Sequence, residues 1–168
     1  MRSIRIAAPR ICGKMGRMRH RDITTQFGAL TLTEEDDHIV RLSWGASGRS
    51  DASSVLDAAC AQLAAYDAGT LHAFDVPMHV RGGALQQAVC AAMRNIPFGE
   101  TLTYGDIARA LGVSAQAVGQ ACGRIPIPIM IPCHRVMGAK GLTGFSGAGG
   151  VETKLALLKH EKAGGFLI

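Results

Sequence analysis

Two neighbouring residues in this sequence could do chemistry together, Cys133 and His134. A cysteine is a strong nucleophile only as the thiolate, and an adjacent imidazole is a common means of removing its proton. Pro132 restricts the backbone directly before the cysteine, and an uncharged apolar run at 125–131 leads into it. We therefore expect the thiol to be buried or half-buried. A cysteine beside a histidine is more often structural, so the pair alone leaves both interpretations open.

The elements that must position this pair include two short helices in a helix-turn-helix pattern. Thr103 and Asp106 match a capping box for the first helix, and Gly112 permits the turn after it. Ser114 is placed to cap the second helix, which is predicted over 115–122. The pattern predicts either a DNA-binding unit or an ordinary helical hairpin with small residues at the crossing.

The exposed face of the second helix carries small or uncharged side chains: Ser114, Ala115, Gln116, Gly119 and Gln120. A helix that reads bases in the major groove usually presents arginine or asparagine. This helix has no arginine or lysine before Arg124. We therefore expect its backbone to approach a partner closely, with little readout of the base sequence.

The N-terminal half has the pattern of a small sheet followed by a helix. Residues 23–44 alternate between apolar and polar side chains, with an acidic break at 34–37. This predicts two or three antiparallel strands joined by a solvated hairpin turn. A helix is then predicted from Asp51, or a nearby serine, to about Ala68. Helical periodicity dominates the rest of the chain, over 84–95, 104–111 and 151–162.

These elements predict an α/β protein in two parts. Residues 1–21 would form a basic leader, expected to be disordered, and residues 22–75 an N-terminal α/β unit. A linker at 76–83, inside a connector that contains proline and glycine, would lead to a mostly helical C-terminal unit. That unit, at 84–168, carries the Cys-His pair.

Composition and charge narrow the class of protein. Of the 168 residues, 48% are hydrophobic, which suits a folded core and argues against intrinsic disorder. Five cysteines without a pairing pattern indicate a reducing compartment, and their spacing predicts no metal site. Residues 22–83 carry three positive and nine negative charges, whereas 84–168 carry eight positive and four negative. The basic C-terminal half permits a polyanionic partner, and no segment predicts a membrane span.

The Cys-His pair belongs to a set of motifs that follow one another along the chain. They are Pro132–Val136, Ile96–Tyr104, Ala117–Gly119, Gly144–Gly147, and Lys154 with Leu157, Leu158, His160 and Glu161. In this combination the sequence resembles the O6-alkylguanine-DNA alkyltransferases, also called methylated-DNA–protein-cysteine methyltransferases. The resemblance covers roughly residues 23–163.

The resemblance implies a fold and a reaction. The N-terminal part would be an RNase H-like sheet with a helix, serving as scaffold, and the C-terminal part a winged-helix-like domain with the helix-turn-helix. Cys133 would take the alkyl group from O6 of guanine, or from O4 of thymine, and remain an S-alkylcysteine, so each molecule reacts once. His134 would be a water-assisted base oriented by Glu161, and Tyr104 would protonate the leaving guanine.

The resemblance also implies the binding surfaces. The guanine pocket would contain Val136, Phe145, Ser146, Pro128 and Cys122, with Phe145 closing over the base. The second helix would enter the minor groove and flip the base out of the duplex. The DNA-binding residues would be Gln116, Ala117, Gly119, Ser114, Thr103 and Arg135. The expected partner is double-stranded DNA containing O6-alkylguanine, bound by a cytoplasmic monomer without cofactor, metal or membrane contact.

Two positions depart from the family's pattern. Gln116 stands where the family usually has an arginine that fills the gap left by the flipped base, which predicts weaker DNA binding. Ile125 stands at a hinge position where the family usually has asparagine, and its aliphatic side chain cannot make the same hydrogen bonds. Two other functions stay open: a non-repairing protein that flags alkylated DNA for another pathway, and a Cys-His hydrolase. No oxyanion-hole signature supports the hydrolase.

Overall fold

The computed structural model describes residues 16–142, 145 and 147–163, with a three-stranded antiparallel sheet in the N-terminal half. Its strands, in spatial order, are β1 (Arg19–Thr25), β2 (Gly28–Glu35) and β3 (His38–Trp44). Asp36 and Asp37 turn the chain between β2 and β3, with φ angles of 50° and 61°. Two-residue hairpin turns with positive φ favour short polar side chains, which explains the acidic break. The predicted antiparallel strands are confirmed.

β1 begins earlier than the alternating pattern indicated. Arg19 is paired with Glu34 of β2, and its guanidinium lies 3.4 Å from the Glu34 carboxylate. The predicted leader at 1–21 is therefore wrong at its end, because residues 19–21 belong to the sheet. These polar residues lie on an edge strand, where apolar alternation is not required. The part of the leader up to residue 15 lies outside the described residues.

A single helix, α1 (Ser54–Asp67), packs on this sheet. Ser53 caps it by accepting a hydrogen bond from the Leu56 amide, as expected for a serine near Asp51. The helix and the sheet contribute the same type of side chain to the layer between them: Leu56, Ala59 and Leu63, with Leu30, Leu32, Ile39 and Leu42. Each fully buried aliphatic side chain contributes about 2 kcal/mol, so packing holds α1 in place.

The described part of the C-terminal half contains four α-helices and two very short strands. They are α2 (Ala84–Arg94), β4 (Leu102–Thr103), α3 (Tyr104–Leu111), α4 (Ala115–Cys122), β5 (Val136–Met137) and α5 (Val151–His160), and β4 pairs in parallel with β5. The capping box is present, because Thr103 accepts from the Asp106 amide and the Asp106 carboxylate accepts from the Thr103 amide. Gly112 ends α3 with a φ of 67°, which lets α4 follow at once. Both predicted helices and the turn between them are confirmed.

The two halves share backbone hydrogen bonds and one buried apolar cluster. The Leu42 amide of β3 donates to the Pro126 carbonyl at 2.9 Å, which ties the sheet to the segment that leads into Cys133. The predicted linker also joins the sheet, since the Ile39 amide donates to the Pro77 carbonyl at 2.8 Å. The mixed α/β class is confirmed, whereas the RNase H-like and winged-helix-like assignments stay predictions. Among the described residues, no helix has both the length and the hydropathy to cross a membrane.

Candidate active site

Cys133 begins a short 3-10 helix, Cys133–Arg135, at the end of the apolar segment. Its amide donates to the Ile131 carbonyl at 2.8 Å, and the residue is 6% exposed. Burial raises the pKa of the thiol to about 12, with a smaller raising effect from nearby Cys122 and a lowering effect from Lys154. The resting thiol is therefore neutral, and it becomes a nucleophile only when a neighbouring group takes its proton.

His134 is fully buried, and one of its ring nitrogens is already engaged. Nε2 lies 2.6 Å from Oε1 of Glu161. Burial lowers the pKa of His134, and the Glu161 carboxylate offsets this only in part. The neutral ring donates from Nε2 to the carboxylate, which assigns the basic lone pair to Nδ1. Nδ1 is buried without a hydrogen-bond partner among the described residues, so no group there occupies its lone pair.

Glu161 follows α5 directly, and its buried carboxylate collects donors from three residues. Oε1 accepts from His134, from Arg135 Nη2 at 3.0 Å and from the Tyr66 hydroxyl at 2.7 Å. Oε2 accepts from Arg135 Nε at 2.8 Å. Burial alone would raise the pKa of Glu161, but the donors on His134 and Arg135 outweigh it and lower the pKa to about 2. The ionised carboxylate thus fixes the orientation and the tautomer of His134.

Arg135 lies inside the protein, which corrects its prediction as a DNA contact. It is 5% exposed, and besides Glu161 its guanidinium donates through Nη1 to the Ile96 carbonyl at 2.6 Å. Its Cζ also lies 5.8 Å from the centroid of the Phe98 ring. Moving this guanidinium to a phosphate would leave the buried Glu161 carboxylate without its counter-charge, at a cost of about 3–5 kcal/mol. Arg135 is therefore a structural partner of Glu161.

The short parallel strand pair places Tyr104 beside the segment that follows the 3-10 helix. β4 is paired with β5, and Tyr104 comes directly after β4 as the first residue of α3. Its side chain is half-buried against the main apolar cluster. The Thr103 hydroxyl donates to the Asp106 carboxylate at 2.8 Å, so this predicted DNA contact is engaged in capping its own helix.

Three predicted pocket residues, Val136, Pro128 and Cys122, are buried in the C-terminal half. The Val136 carbonyl accepts from Lys154 Nζ at 2.5 Å, which leaves one of its lone pairs for a ligand donor. Burial raises the pKa of the Cys122 thiol to about 11, so this thiol is neutral, like that of Cys133. Val136 and Cys122 belong to the same buried apolar cluster as Cys133, and Pro128 forms a backbone bridge with Ile131 in the segment that leads to the cysteine.

Phe145 packs against the N-terminal sheet. Its ring meets the Trp44 ring edge-on, with the centroids 5.9 Å apart, and Trp44 Nε1 donates to the Phe27 carbonyl at 3.0 Å. A Cβ atom added at Gly147 would clash with both rings, so this contact requires glycine there. No local sequence pattern links Trp44 to Phe145. Ser146 lies outside the described residues.

A cavity of about 740 Å³ lies on the opposite face of the sheet from α1. Polar side chains of all three strands line it, together with Arg81 and Arg124. Its walls contain none of the predicted catalytic residues, Cys133, His134, Glu161 and Tyr104. This cavity is therefore not the candidate reactive centre. That centre is the buried group of side chains around the Glu161 carboxylate.

Known proteins are similar to this chain in sequence and in fold. Residues 84–163 match the model of the family described as 6-O-methylguanine DNA methyltransferase, DNA binding domain. The methylated-DNA–protein-cysteine methyltransferase of Mycolicibacterium paratuberculosis is 38% identical over 155 residues, which cover 86% of this chain and 93% of the relative. This chain belongs to the methylated-DNA–protein-cysteine methyltransferases.

Two crystal structures from Mycobacterium tuberculosis are similar to this methyltransferase. The O6-methylguanine methyltransferase of that organism is 40% identical with a TM-score of 0.77, over 87% of this chain and 93% of that one. Its complex with DNA is 41% identical with a TM-score of 0.76, over 89% of this chain and 97% of that one. The family and the enzyme class inferred from the sequence motifs are thus confirmed.

The outer face of α4 in this methyltransferase has the predicted small, uncharged character. Ser114 and Gln116 are exposed, Ala117 and Gly119 are half-buried, and Val118 is fully buried in the core. Ser114 caps the helix by accepting from the Ala117 amide at 3.1 Å. A Cβ atom at Gly119 would meet nothing within 4 Å, so internal packing does not require glycine there. The open space is available to a partner that approaches the helix.

Ile125 departs from the family's pattern at the hinge position, and its side chain is buried in the apolar core. It is 5% exposed within the main apolar cluster, and its amide donates to the Cys122 carbonyl at 3.3 Å. A side-chain amide in this apolar setting would need partners to offset its desolvation. The adjoining Pro126 carbonyl is held by Leu42 of β3, so the loop has an anchor that the sequence did not reveal.

Tyr66 of α1 is the site residue that sequence reasoning missed. Helical periodicity is consistent with its position on the buried face of α1, but periodicity carries no information about what a hydroxyl contacts. The available signal was the residue type, because a tyrosine at a fully buried position needs a partner for its hydroxyl. That partner is Glu161, which is 95 residues away in the sequence.

Proposed function

We propose that this chain repairs DNA by direct reversal, transferring the methyl group from O6 of guanine in double-stranded DNA to Cys133. The observation that carries the proposal is the buried series Cys133, His134 and Glu161. It contains a neutral thiol, a basic ring nitrogen and an ionised carboxylate. The DNA-bound relative from M. tuberculosis supports DNA as the partner.

In the proposed reaction, Nδ1 of His134 takes the Cys133 proton, directly or through a water molecule. The thiolate attacks the methyl carbon in line, so that the S–C bond forms as the bond from that carbon to O6 breaks. The electron pair of the broken bond passes to the guanine, and the Tyr104 hydroxyl donates a proton to it. The imidazolium formed on His134 is stabilised by the Glu161 carboxylate, at 2.6 Å from Nε2. The products are guanine and S-methylcysteine, and return of the imidazolium proton of His134 to the Tyr104 phenolate, through water, restores both side chains to their neutral forms.

This chemistry makes the protein a single-use reagent. A thioether has no proton to lose and is a poor leaving group, so the site cannot regenerate its thiol by the same route. We propose Val136, Phe145, Ser146, Pro128 and Cys122 as the walls of the guanine pocket. No cofactor enters the proposed reaction, since the thiol, the imidazole and the phenol supply all the proton and electron-pair movements.

The proposed DNA surface is α4 with its cap, through Gln116, Ala117, Gly119 and Ser114, together with Thr103 at the start of α3. Because Cys133 is 6% exposed, a guanine stacked inside a duplex could not reach its sulfur. The target base therefore has to be flipped out of the stack. Small residues on α4 suit a close approach to the narrow minor groove, with binding energy mainly from phosphates. We propose that a monomer carries out this step.

The decisive experiment follows the methyl group. The full chain is incubated with a duplex that contains one O6-methylguanine, digested, and analysed by peptide mass spectrometry. We expect the Cys133 peptide to gain one methyl group, with guanine restored and one transfer per protein molecule. Binding to the lesion without transfer would reject this function in favour of lesion flagging, and neither binding nor transfer would favour the Cys-His hydrolase.

Gln116→Arg is expected to strengthen binding to methylated duplex by about three- to tenfold. An arginine would fill the space left by the flipped base and add one phosphate-attracting charge to an exposed position of α4. Gln120→Arg is the matched control, because it adds the same charge to another exposed position of α4. Affinities are measured by fluorescence anisotropy over a range of salt concentrations. If both variants gained the same duplex affinity, the added charge alone would explain the effect of Gln116→Arg, and filling of the space left by the flipped base would be rejected.

Gly119→Leu is expected to leave the folded state intact and weaken duplex binding by about tenfold or more, which is about 1.4 kcal/mol. Nothing lies within 4 Å of an added Cβ atom at this position, so the fold leaves room for the new side chain to start, and an approaching partner would meet it. Ala58→Leu on the exposed face of α1 serves as the control. Thermal melting and duplex affinity are measured for both variants. Unchanged affinity in Gly119→Leu would contradict the close approach of α4 to DNA.

A further inference from the structure

The hydroxyl of Tyr66 connects the N-terminal half to the reactive centre. Tyr66 is 1% exposed near the end of α1, and its hydroxyl donates to Oε1 of Glu161 at 2.7 Å. Its ring packs against Phe74 and Phe98, with centroids 5.5 Å and 6.2 Å away. A phenylalanine would make the same ring contacts, so packing explains the ring but not the hydroxyl.

The hydroxyl competes with the catalytic base for one carboxylate oxygen. Oε1 of Glu161 accepts from Tyr66, from His134 Nε2 at 2.6 Å and from Arg135 Nη2 at 3.0 Å. Oε2 accepts only from Arg135 Nε among the described residues. Each donor draws negative charge away from the oxygen that it contacts. The hydrogen bond from Tyr66 therefore weakens the attraction of Glu161 for a proton on His134.

We propose that Tyr66 is a positioning residue for the methyl transfer: by sharing Oε1 of Glu161 with His134, it keeps His134 neutral and ready to accept the Cys133 proton. The inference rests on the proposed function, because it assigns to His134 the role of base. It also gives the N-terminal half a part in the chemistry, in addition to its predicted role as scaffold.

The other charged and titratable groups around His134 and Glu161 do not substitute for the hydrogen bond that the Tyr66 hydroxyl donates. Arg135 from the 3-10 helix and Lys154 from α5 both lower the pKa of His134, after the larger effect of burial. His160 of α5 meets the Tyr66 ring at 5.1 Å between centroids, and its Nε2 lies 2.7 Å from the Tyr66 carbonyl. Tyr66 stays protonated, since burial and then the Glu161 charge raise its pKa far above the ordinary value. Its hydroxyl is therefore a permanent donor.

Tyr66→Phe tests the proposal through the pH dependence of methyl transfer. Without the hydroxyl, Glu161 attracts a proton on His134 more strongly, so the pKa of His134 rises. Only the neutral ring accepts the thiol proton, so the acid limb of the rate profile is expected to move up by about one pH unit. A rate measured on that limb then falls by up to about tenfold, whereas the rate on the plateau changes little.

Phe74→Leu is the matched control, because Phe74 packs on the Tyr66 ring without contacting Glu161 through a hydrogen bond. A purely structural effect lowers the folded fraction and reduces the rate by the same factor at every pH, without moving the limb. A limb that stays in place in Tyr66→Phe, or that moves equally in Phe74→Leu, would overturn the proposal.

Nitrogen NMR of the His134 ring separates this inference from the proposed function. The ring resonances of the wild-type protein and of Tyr66→Phe are followed over the same pH range, without DNA. A raised His134 pKa in the variant supports the role of the hydroxyl even if the wild-type protein fails to transfer a methyl group, which would reject the repair function alone. Identical titration in both proteins would refute the inference while leaving the repair function standing.

Discussion

Cys133→Ala is expected to abolish methyl transfer and to leave the fold and duplex binding in place. The substitution removes the only atom that forms the new bond to carbon in the proposed reaction. Because burial raises the pKa of the thiol to about 12, the group that is lost is neutral and no charge is left unpaired. The small volume change in an apolar site lowers the free energy of unfolding by only about 1 kcal/mol.

Three quantities are measured for Cys133→Ala and the wild-type protein: transfer of labelled methyl from duplex DNA, duplex affinity and thermal melting. Cys60→Ala and Cys90→Ala are the controls, since both residues are free thiols outside the reactive series. We expect the controls to transfer methyl at the wild-type rate. If Cys133→Ala still transferred methyl and the label were on another cysteine such as Cys122, that cysteine would be the acceptor. The assigned chemistry would then be wrong.

Glu161→Gln is expected to reduce both the rate of transfer and the stability of the protein. An amide nitrogen turned toward His134 would donate to Nε2, which places the ring proton on Nδ1 and removes the base from the side of Cys133. A wrong tautomer in a comparable triad lowers the rate by about 10²–10⁴-fold. An amide turned the other way brings its donors against Arg135, which then lacks its counter-charge, and this destabilises the fold by about 3–5 kcal/mol.

The same variant changes how stability depends on pH. The folded pKa of Glu161 is lowered from 4.5 to about 2, so its contribution is fully present above pH 4.5 and is lost as the pH falls toward 2. A shift of this size corresponds to about 3 kcal/mol. Urea unfolding at neutral and acidic pH should therefore show a smaller acid-induced loss in Glu161→Gln than in the wild-type protein.

Glu152→Gln is the control for this prediction, because Glu152 is exposed in the first turn of the same helix. We expect it to retain transfer and to change stability by no more than about 0.5 kcal/mol. If Glu161→Gln transferred methyl at the wild-type rate below its melting temperature, the carboxylate would have no role in orienting His134.

The hydrogen bonds of Glu161 link the Cys133–Arg135 segment of the C-terminal half to helix α1 of the N-terminal half. Arg135, His134 and Tyr66 all donate to one carboxylate. Tyr66 belongs to α1, which packs on the sheet, so movement of the sheet would disturb the base. The Tyr66 side chain thereby couples the N-terminal half to the proposed chemistry, in addition to the backbone hydrogen bond from Leu42 to Pro126.

Local features of this protein were determined by the sequence alone, because they depend on residues close together in the chain. The capping box of Thr103 and Asp106, the left-handed Gly112 and the cap at Ser114 all have the predicted geometry. The motif residues, with Cys133 and His134 at their centre, identified the family through their types and their order along the chain. The small outer face of α4 was also predicted correctly.

The tertiary structure decided what depends on distant partners. The family resemblance implied a DNA contact for Arg135, yet a carboxylate 26 residues away binds its guanidinium inside the protein. The Tyr66 hydroxyl and the packing of Phe145 on Trp44 likewise join residues far apart in sequence. No local pattern specifies such pairs, because a side chain's type limits which partners it can bind but not which one the fold brings to it.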